Sequence, residues 1–458
     1  MASKASRVIA ASLLATALSQ PVLAQTPREA ALEARLAQLE TAVAQLRGEL
    51  LSAKAAPVAA ALAATTVASL PPETEKRLVA LETAKPADGF RVGSTTVKIG
   101  GFVRVNAAAT RYNDGEVAVG GLGKEFYLPQ QIPVGGGFSS QDFLVQARQT
   151  RFVLTTATPV GAGLLKSHIE FDFAISTAPA GAQRATNASN PTLRRAFFTS
   201  GNLLVGQEWT TFQNVAVLPE STDFVGPLEG TVFVRQAMAQ YKVPLGGGLD
   251  LLLALENPET ETVSRTAAAL IDNDDDRVPD AVVRLNAKTG VGEFSLAGLV
   301  RELRVDNAGS GDAAIAWGLS AAGRVPLGAR HDLRFMATYG NGIGRYLGLG
   351  FAPDAVIAGV PGARLERVRN FAGFAALKLG WTATVRSTFM AGYQSADYGD
   401  GLISPLANKA AWSGAANLFW TPVKSFDVGI EYRHGERRLV NDDSGSIDRV
   451  EATFKYTY

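Results

Sequence analysis

From Val97 to Tyr458 apolar and polar side chains alternate one for one, the period of a strand with two unlike faces. Val97, Ile99, Val103 and Val105 alternate with Lys98, Arg104 and Asn106. Ser167, Ile169, Phe171 and Phe173 alternate with Lys166, His168, Glu170 and Asp172. The same rhythm recurs at Leu249 to Glu256, at Phe426 to Arg433 and at Arg449 to Tyr458. Sixteen strands result, at about 97–112, 142–158, 163–176, 193–200, 202–213, 231–243, 248–257, 280–289, 292–305, 313–325, 331–340, 366–379, 381–395, 409–421, 425–438 and 446–458.

Alternation alone suits a soluble sandwich as well as a membrane barrel, and the connections decide between them. Those after even strands are short and turn-like, as at Pro159 to Ala162, Gly201, Pro244 to Gly247, Gly290-Val291 and Pro422 to Lys424. Those after odd strands are mostly long: 113–141, 177–192, 214–230, 258–279, 341–365 and 396–408. Turns on one side and loops on the other mark an all-β fold, a sixteen-stranded antiparallel transmembrane barrel with a lumen rather than a packed interior. Lys98, Arg104, Glu170, Asp172, Arg433 and Lys455 would then stay hydrated inside while the apolar face meets lipid.

Before residue 96 the pattern differs. Residues 1–24 read as a secretory signal, with Lys4 and Arg7 ahead of an apolar stretch and Val22-Leu23-Ala24 as cleavage site. Residues 25–52 hold a heptad in which Leu36, Val43 and Leu50 take one core position and Leu32, Leu39 and Leu46 the other. Arg35 and the following Glu40 are placed for an interchain ion pair, so this segment reads as a parallel oligomerising coiled coil in the periplasm. Residues 53–95 are an Ala/Pro-rich linker, broken by Pro57 and Pro71-Pro72.

Composition narrows the function. Cysteine is absent, which removes disulfides, thiolate metal sites and thiol nucleophiles. Three histidines, His168, His331 and His434, lie far apart with neither a metal-ligand spacing nor a serine or carboxylate motif marking a catalytic base, so no metal, cofactor or enzyme activity is expected. The 44 basic and 43 acidic residues nearly cancel, which sets nucleic acid aside.

Several stretches carry a resemblance: Gln146 to Phe152, Ile169 to Phe173, Gly201 to Phe212, Asp223 to Pro227, Val234-Arg235-Gln236 and Ala254 to Pro258, together with the opening strand Thr96 to Val103. They resemble the DcaP-like outer-membrane porins. The resemblance implies a trimeric channel with a periplasmic coiled coil that passes small anions such as dicarboxylates. It also implies that loop 214–230 narrows the pore, with Glu220 and Asp223 on one wall. Opposite stand Arg104, Arg148, Arg151, Arg195 and Arg235, with Glu170 and Asp172 as counter-charges. Guanidinium groups suit carboxylates because they grip both oxygens and never lose their charge. Parity complicates the set, since Arg148 and Arg151, or Arg194 and Arg195, face opposite ways on a regular strand unless a bulge or strand end intervenes. The competing assignment has these arginines snorkelling at the membrane boundary or bracing the wall against Glu170 and Asp172.

Asp272 to Asp276 could hold calcium but lack the continuation of a calcium-binding loop, so a solvated surface loop is expected. Trp209, Trp317, Trp381, Trp412 and Trp420, with Tyr339, Tyr393 and Tyr432, are assigned to the aromatic girdles at the lipid boundary. Phe454, Tyr456 and Tyr458 look like the terminal signal read by the barrel-assembly machinery. The expected partners are two further copies of the chain, outer-membrane lipid and lipopolysaccharide, that machinery, and small anionic solutes. The rival function is a structural barrel tethered through its coiled coil.

Overall fold

The computed structural model describes residue 41 and residues 89–175, 185–307, 310–358, 364–399 and 403–458. The signal, residues 53–88 of the linker and, apart from Thr41, the heptad segment lie outside the described residues; at the linker's end Phe90–Val92 pairs antiparallel with Thr95 to Val97.

Sixteen antiparallel strands form the barrel: β1 Thr95–Tyr112, β2 in two pieces, Ser140–Gln146 and Arg151–Val160, β3 Gly163–Asp172 and β4 Thr192–Ser200. Then come β5 Leu203–Trp209, β6 Arg235–Gly246, β7 Leu249–Glu256 and β8 Asp280–Lys288. The second half comprises β9 Glu293–Asn307, β10 Ser310–Leu327, β11 His331–Asn341 and β12 Arg369–Gly380. It ends with β13 Val385–Asp397, β14 Asn408–Val423, β15 Phe426–Leu439 and β16 Ser444–Thr457. Each strand pairs with the next, and β16 pairs with β1 from Phe102↔Thr457 to Tyr112↔Ile447, so the sheet closes without an edge. Closure satisfies every ladder group internally, which is the condition for crossing hydrocarbon.

The short turns use glycine where the chain must reverse with positive φ, as at Gly201 (φ 57°) between β4 and β5. The outer face is apolar and exposed, with Phe143 at 73% the extreme, while the inward positions of the same strands are buried. Aromatic rings on neighbouring strands line up around the outside: Trp317 and Tyr339 lie 5.9 Å apart, Phe371 and Tyr393 6.2 Å. Trp381, Trp412, Trp420 and Tyr432 are also exposed there. Trp209 does not join this girdle. Its ring turns inward, packing edge-on to Phe233 at 4.8 Å beneath the Arg235 guanidinium.

Part of the charged inward face is not bathed in water, contrary to the expectation from alternation, although Lys98 is exposed and Arg104 and Lys455 are half-buried. Glu170, Asp172, Arg301, Arg433 and Arg449 are all buried, because surface loops fold down onto them. Residues 117–132 of the first loop bring Phe126, Tyr127 and Ile132 into one apolar cluster with Leu228 and Phe233, and Ile343, Tyr346 and Leu347 join Phe212 and Val217 in another. A small second sheet, unforeseen in the pattern, links Glu261–Ser264, Ile271–Asp272, Ala355–Ala358 and Arg364–Arg367. It packs Ala355 and Leu365 against Leu303 and Val305 of β9 and Ala316 of β10.

Within this sheet the Glu261 carboxyl is pushed up to about 7, first by burial and then by Asp354. A raised carboxyl packs as the neutral acid. Its contribution is therefore full below the ordinary carboxylate range and is lost as pH rises through about 7. Limited proteolysis of the surface loops is expected to run faster at about pH 8 than at about pH 5.5, with Glu261→Gln abolishing the difference. Equal rates for the unsubstituted protein would show that Glu261 does not govern loop packing.

Candidate pore constriction

The connection between β5 and β6, residues 210–234, is the element that shapes the lumen. Its first part forms a tight turn in which the Asn214 side chain accepts the Ala216 amide at 3.1 Å. Barrel side chains then hold it at intervals around the wall. Arg284 of β8 donates to the carbonyls of Thr211 and Gln213, Asn214 donates to Ser295 of β9 at 2.9 Å, and Arg334 of β11 donates to the Leu218 carbonyl at 2.5 Å. Glu220 accepts Arg386 of β13 through both oxygens at 2.6 Å, and Lys378 of β12 lies 3.7 Å away. Ser221 donates to Glu431 of β15, and the Thr222 carbonyl accepts Asn106 and Arg104 of β1. A loop bound on β8, β13 and β1 lies across the lumen, so 214–230 does fold inward.

Asp223 is almost wholly buried, accepting the Tyr127 amide at 2.7 Å and the Val225 amide at 3.1 Å. It fastens the first loop to the third rather than facing the pore. Phe224, its neighbour, sits 5.3 Å from Phe126 and 5.0 Å from the Arg194 guanidinium. Further on, Glu229 accepts Ser413 of β14 at 2.6 Å, and burial pushes its carboxyl up.

Behind Phe224 the structure gathers Arg151, Arg194, Arg195 and Arg235 with Glu170, Asp172 and Glu208. Arg151 lies 3.2 Å from both Glu170 and Asp172, and Arg194 lies 2.9 Å and 2.8 Å from the same pair. Arg195 takes both oxygens of Glu208, at 2.7 Å and 2.5 Å, and reaches Glu170 at 3.3 Å. The parity problem is solved by a bulge: Glu170 pairs with Arg195 and Phe171 with Leu193, leaving Arg194 as the extra residue, so both arginines enter the lumen. On β2 the break at 147–150 does the same for Arg148 and Arg151.

Of the expected residues, Arg151, Arg195, Arg235, Glu170 and Asp172 come together. Arg148 pairs instead with Glu125 of the first loop, and Arg104 reaches the third loop from the other side. Wall bracing accounts for Arg151 and Arg195, which pair with Glu170. Arg194, also part of the brace, was named with Arg195 but left out of the expected set, because a bulge leaves no mark in a two-residue period. A second basic set, Arg324 and Arg334 with Lys378 and Arg386, was likewise missed, although all four occupy the inward parity of β10–β13. Asp275 and Asp276 of the acidic loop are spent on the amides of Asp306 and Thr260.

Arg235 differs from its neighbours. Among the described residues it has no carboxylate partner, its Nη1 is buried without an acceptor, and its guanidinium lies over Trp209 at 5.0 Å. The Arg151 Nε is also without an acceptor.

A closed barrel with an apolar exterior, a charged interior and a loop laid across the lumen is the build of an outer-membrane channel. The chain belongs to the DcaP outer membrane protein family, whose model matches residues 78–458. Its fold is similar to the outer membrane channel DcaP of Acinetobacter baumannii (TM-score 0.68, 23% identity, covering 81% of this chain and 99% of that one). More distant likenesses are an anion-selective porin from Comamonas acidovorans (TM-score 0.51, 10% identity, 80% and 100%) and OmpT of Vibrio cholerae (TM-score 0.50, 11% identity, 81% and 99%). No curated protein matches the chain. The family and its structural neighbours are channels rather than enzymes.

Proposed function

We propose that this porin passes small hydrophilic solutes by passive diffusion and favours small anions such as dicarboxylates. The observation that carries the reading is the cluster behind Phe224, where four arginines face three carboxylates and Arg235 keeps its charge and a donor unspent. Half-buried at a constriction, one uncompensated guanidinium biases the local field toward anions, because less water is present to screen it than in bulk. A fold shared with a porin named as anion-selective agrees with this.

We propose further that residues 1–24 direct export, that residues 25–52 form a periplasmic coiled coil, and that three copies associate. On the outer face of β1–β3, hydroxyls pair with one another, Thr95 with Thr158 at 2.8 Å and Thr156 with Ser167 at 2.7 Å. Self-satisfied polar groups in an otherwise apolar belt suit a contact with another subunit better than one with lipid tails.

Reversal potentials in a planar bilayer under a salt gradient test the selectivity. The unsubstituted protein is expected to prefer anions, and Arg235→Gln, which orphans no carboxylate, to lower the anion-to-cation permeability ratio by about twofold or more. Cation preference in the unsubstituted protein would sink the reading.

A further inference from the structure

A second basic site lies beyond the constriction, at the end of the lumen where the turns are short. There the turns 328–330 and 381–384 and the ends of β10–β13 enclose a cavity of about 300 Å³. Arg324, Arg330, His331, Lys378 and Arg386 line it, against one carboxylate, Asp332. Short turns mark the periplasmic end of such barrels.

The cations are not equally committed. Arg386 is locked by Glu220, by Asp427 at 3.1 Å and by Thr421 at 2.5 Å, and its guanidinium rests over Phe419 at 5.1 Å. Arg324 lies 3.0 Å from Asp332, whose other oxygen takes Arg334 at 2.5 Å. Lys378 has only the long contact to Glu220, and Arg330, exposed in its turn, has no ion pair among the described residues. The cavity thus presents two weakly committed cations on a frame held rigid by two strongly committed ones.

We propose that this cavity is a second anion station, holding a small dianion, a dicarboxylate or phosphate, between Arg330 and Lys378 on the periplasmic side of the third loop. A dianion suits it because two separated cations reward two negative groups, and the guanidinium takes a carboxylate or phosphate edge through paired hydrogen bonds. The volume accommodates a small dianion such as a dicarboxylate or phosphate. The station also touches the constriction, because Glu220, the loop carboxylate nearest Lys378, is its internal competitor. An anion leaving the arginine cluster would be received here before release, so the proposal rests on the anion-channel reading.

Calorimetric titration of the purified full-length protein with succinate and with inorganic phosphate tests it. Arg330→Gln combined with Lys378→Gln is expected to weaken binding about tenfold or more, whereas Glu220→Gln, which frees Lys378, should tighten it several-fold. Arg330→Gln alone, in an exposed turn, gives the weakening arm if the double variant fails to fold. Binding of succinate only, phosphate only or both supports the station and names the source of the dianion. Absence of binding, or loss in Arg235→Gln but not in the Arg330 variants, overturns it. Reversal potentials read the Arg235 cluster separately, so cation preference with intact Arg330-dependent binding would reject the channel's selectivity and leave the station standing.

Discussion

Replacing residues 215–229 by a short glycine-serine link is expected to raise single-channel conductance several-fold and to flatten selectivity. The hydrogen bonds that close the barrel do not involve this segment, since β5 and β6 pair with each other from Leu203↔Tyr241 to Trp209↔Arg235. Removing it takes away the element that spans from Arg334 to Arg104, and with it Phe224, which covers the arginine cluster. The carboxylates and arginines now buried under the loop would become hydrated and screened, so each would act more weakly on a passing ion. Conductance equal to that of the unsubstituted protein, with the barrel folded by heat-modifiable migration, would mean that another loop sets the pore.

Arg301→Ala is expected to be the most destabilising single change. Its fully buried guanidinium joins Asp280 of β8 at 3.3 Å, Asp354 of the connection between β11 and β12 at 3.0 Å and the Glu259 carbonyl of the connection between β7 and β8. Truncation leaves buried Asp354 without its cation and Asp280 with only Arg345 at 3.9 Å, a loss of about 3–5 kcal/mol by comparison with other broken buried pairs. Asp280 keeps its bond from the Tyr346 hydroxyl at 2.6 Å, so the damage falls chiefly on the loop carrying Asp354. A lower unfolding temperature together with new protease cuts within 257–279 and 344–368 is the expected result. An unchanged melting curve and digest would show that the small loop sheet holds without Arg301.

The sixteen strands were legible because one physical rule, apolar residues toward lipid on every second position, acts on each strand separately. Turn chemistry at Gly201 and Pro244 to Gly247 separated them. The loops obey no such local rule. Phe126 and Leu228 meet only because two loops distant in sequence fold into the same space, and neither segment reveals the other. Arg151, Arg195 and Arg235 were expected from the fit of guanidinium groups to carboxylates, whereas Arg194 needed the bulge and Lys378 and Arg386 needed the course of the third loop. Trp209 was misplaced for a related reason: the strand expected to run to residue 213 ends at Trp209, and the chain turns inward there.

The third loop is fastened at Gln213, Leu218, Glu220, Thr222 and Glu229 to strands from β8 round to β1. A bar riveted along its length has no hinge about which to swing, and each rivet would have to break before it could move. The loop is therefore expected to stay in place while solutes pass, a fixed sill in the passage and not a flap.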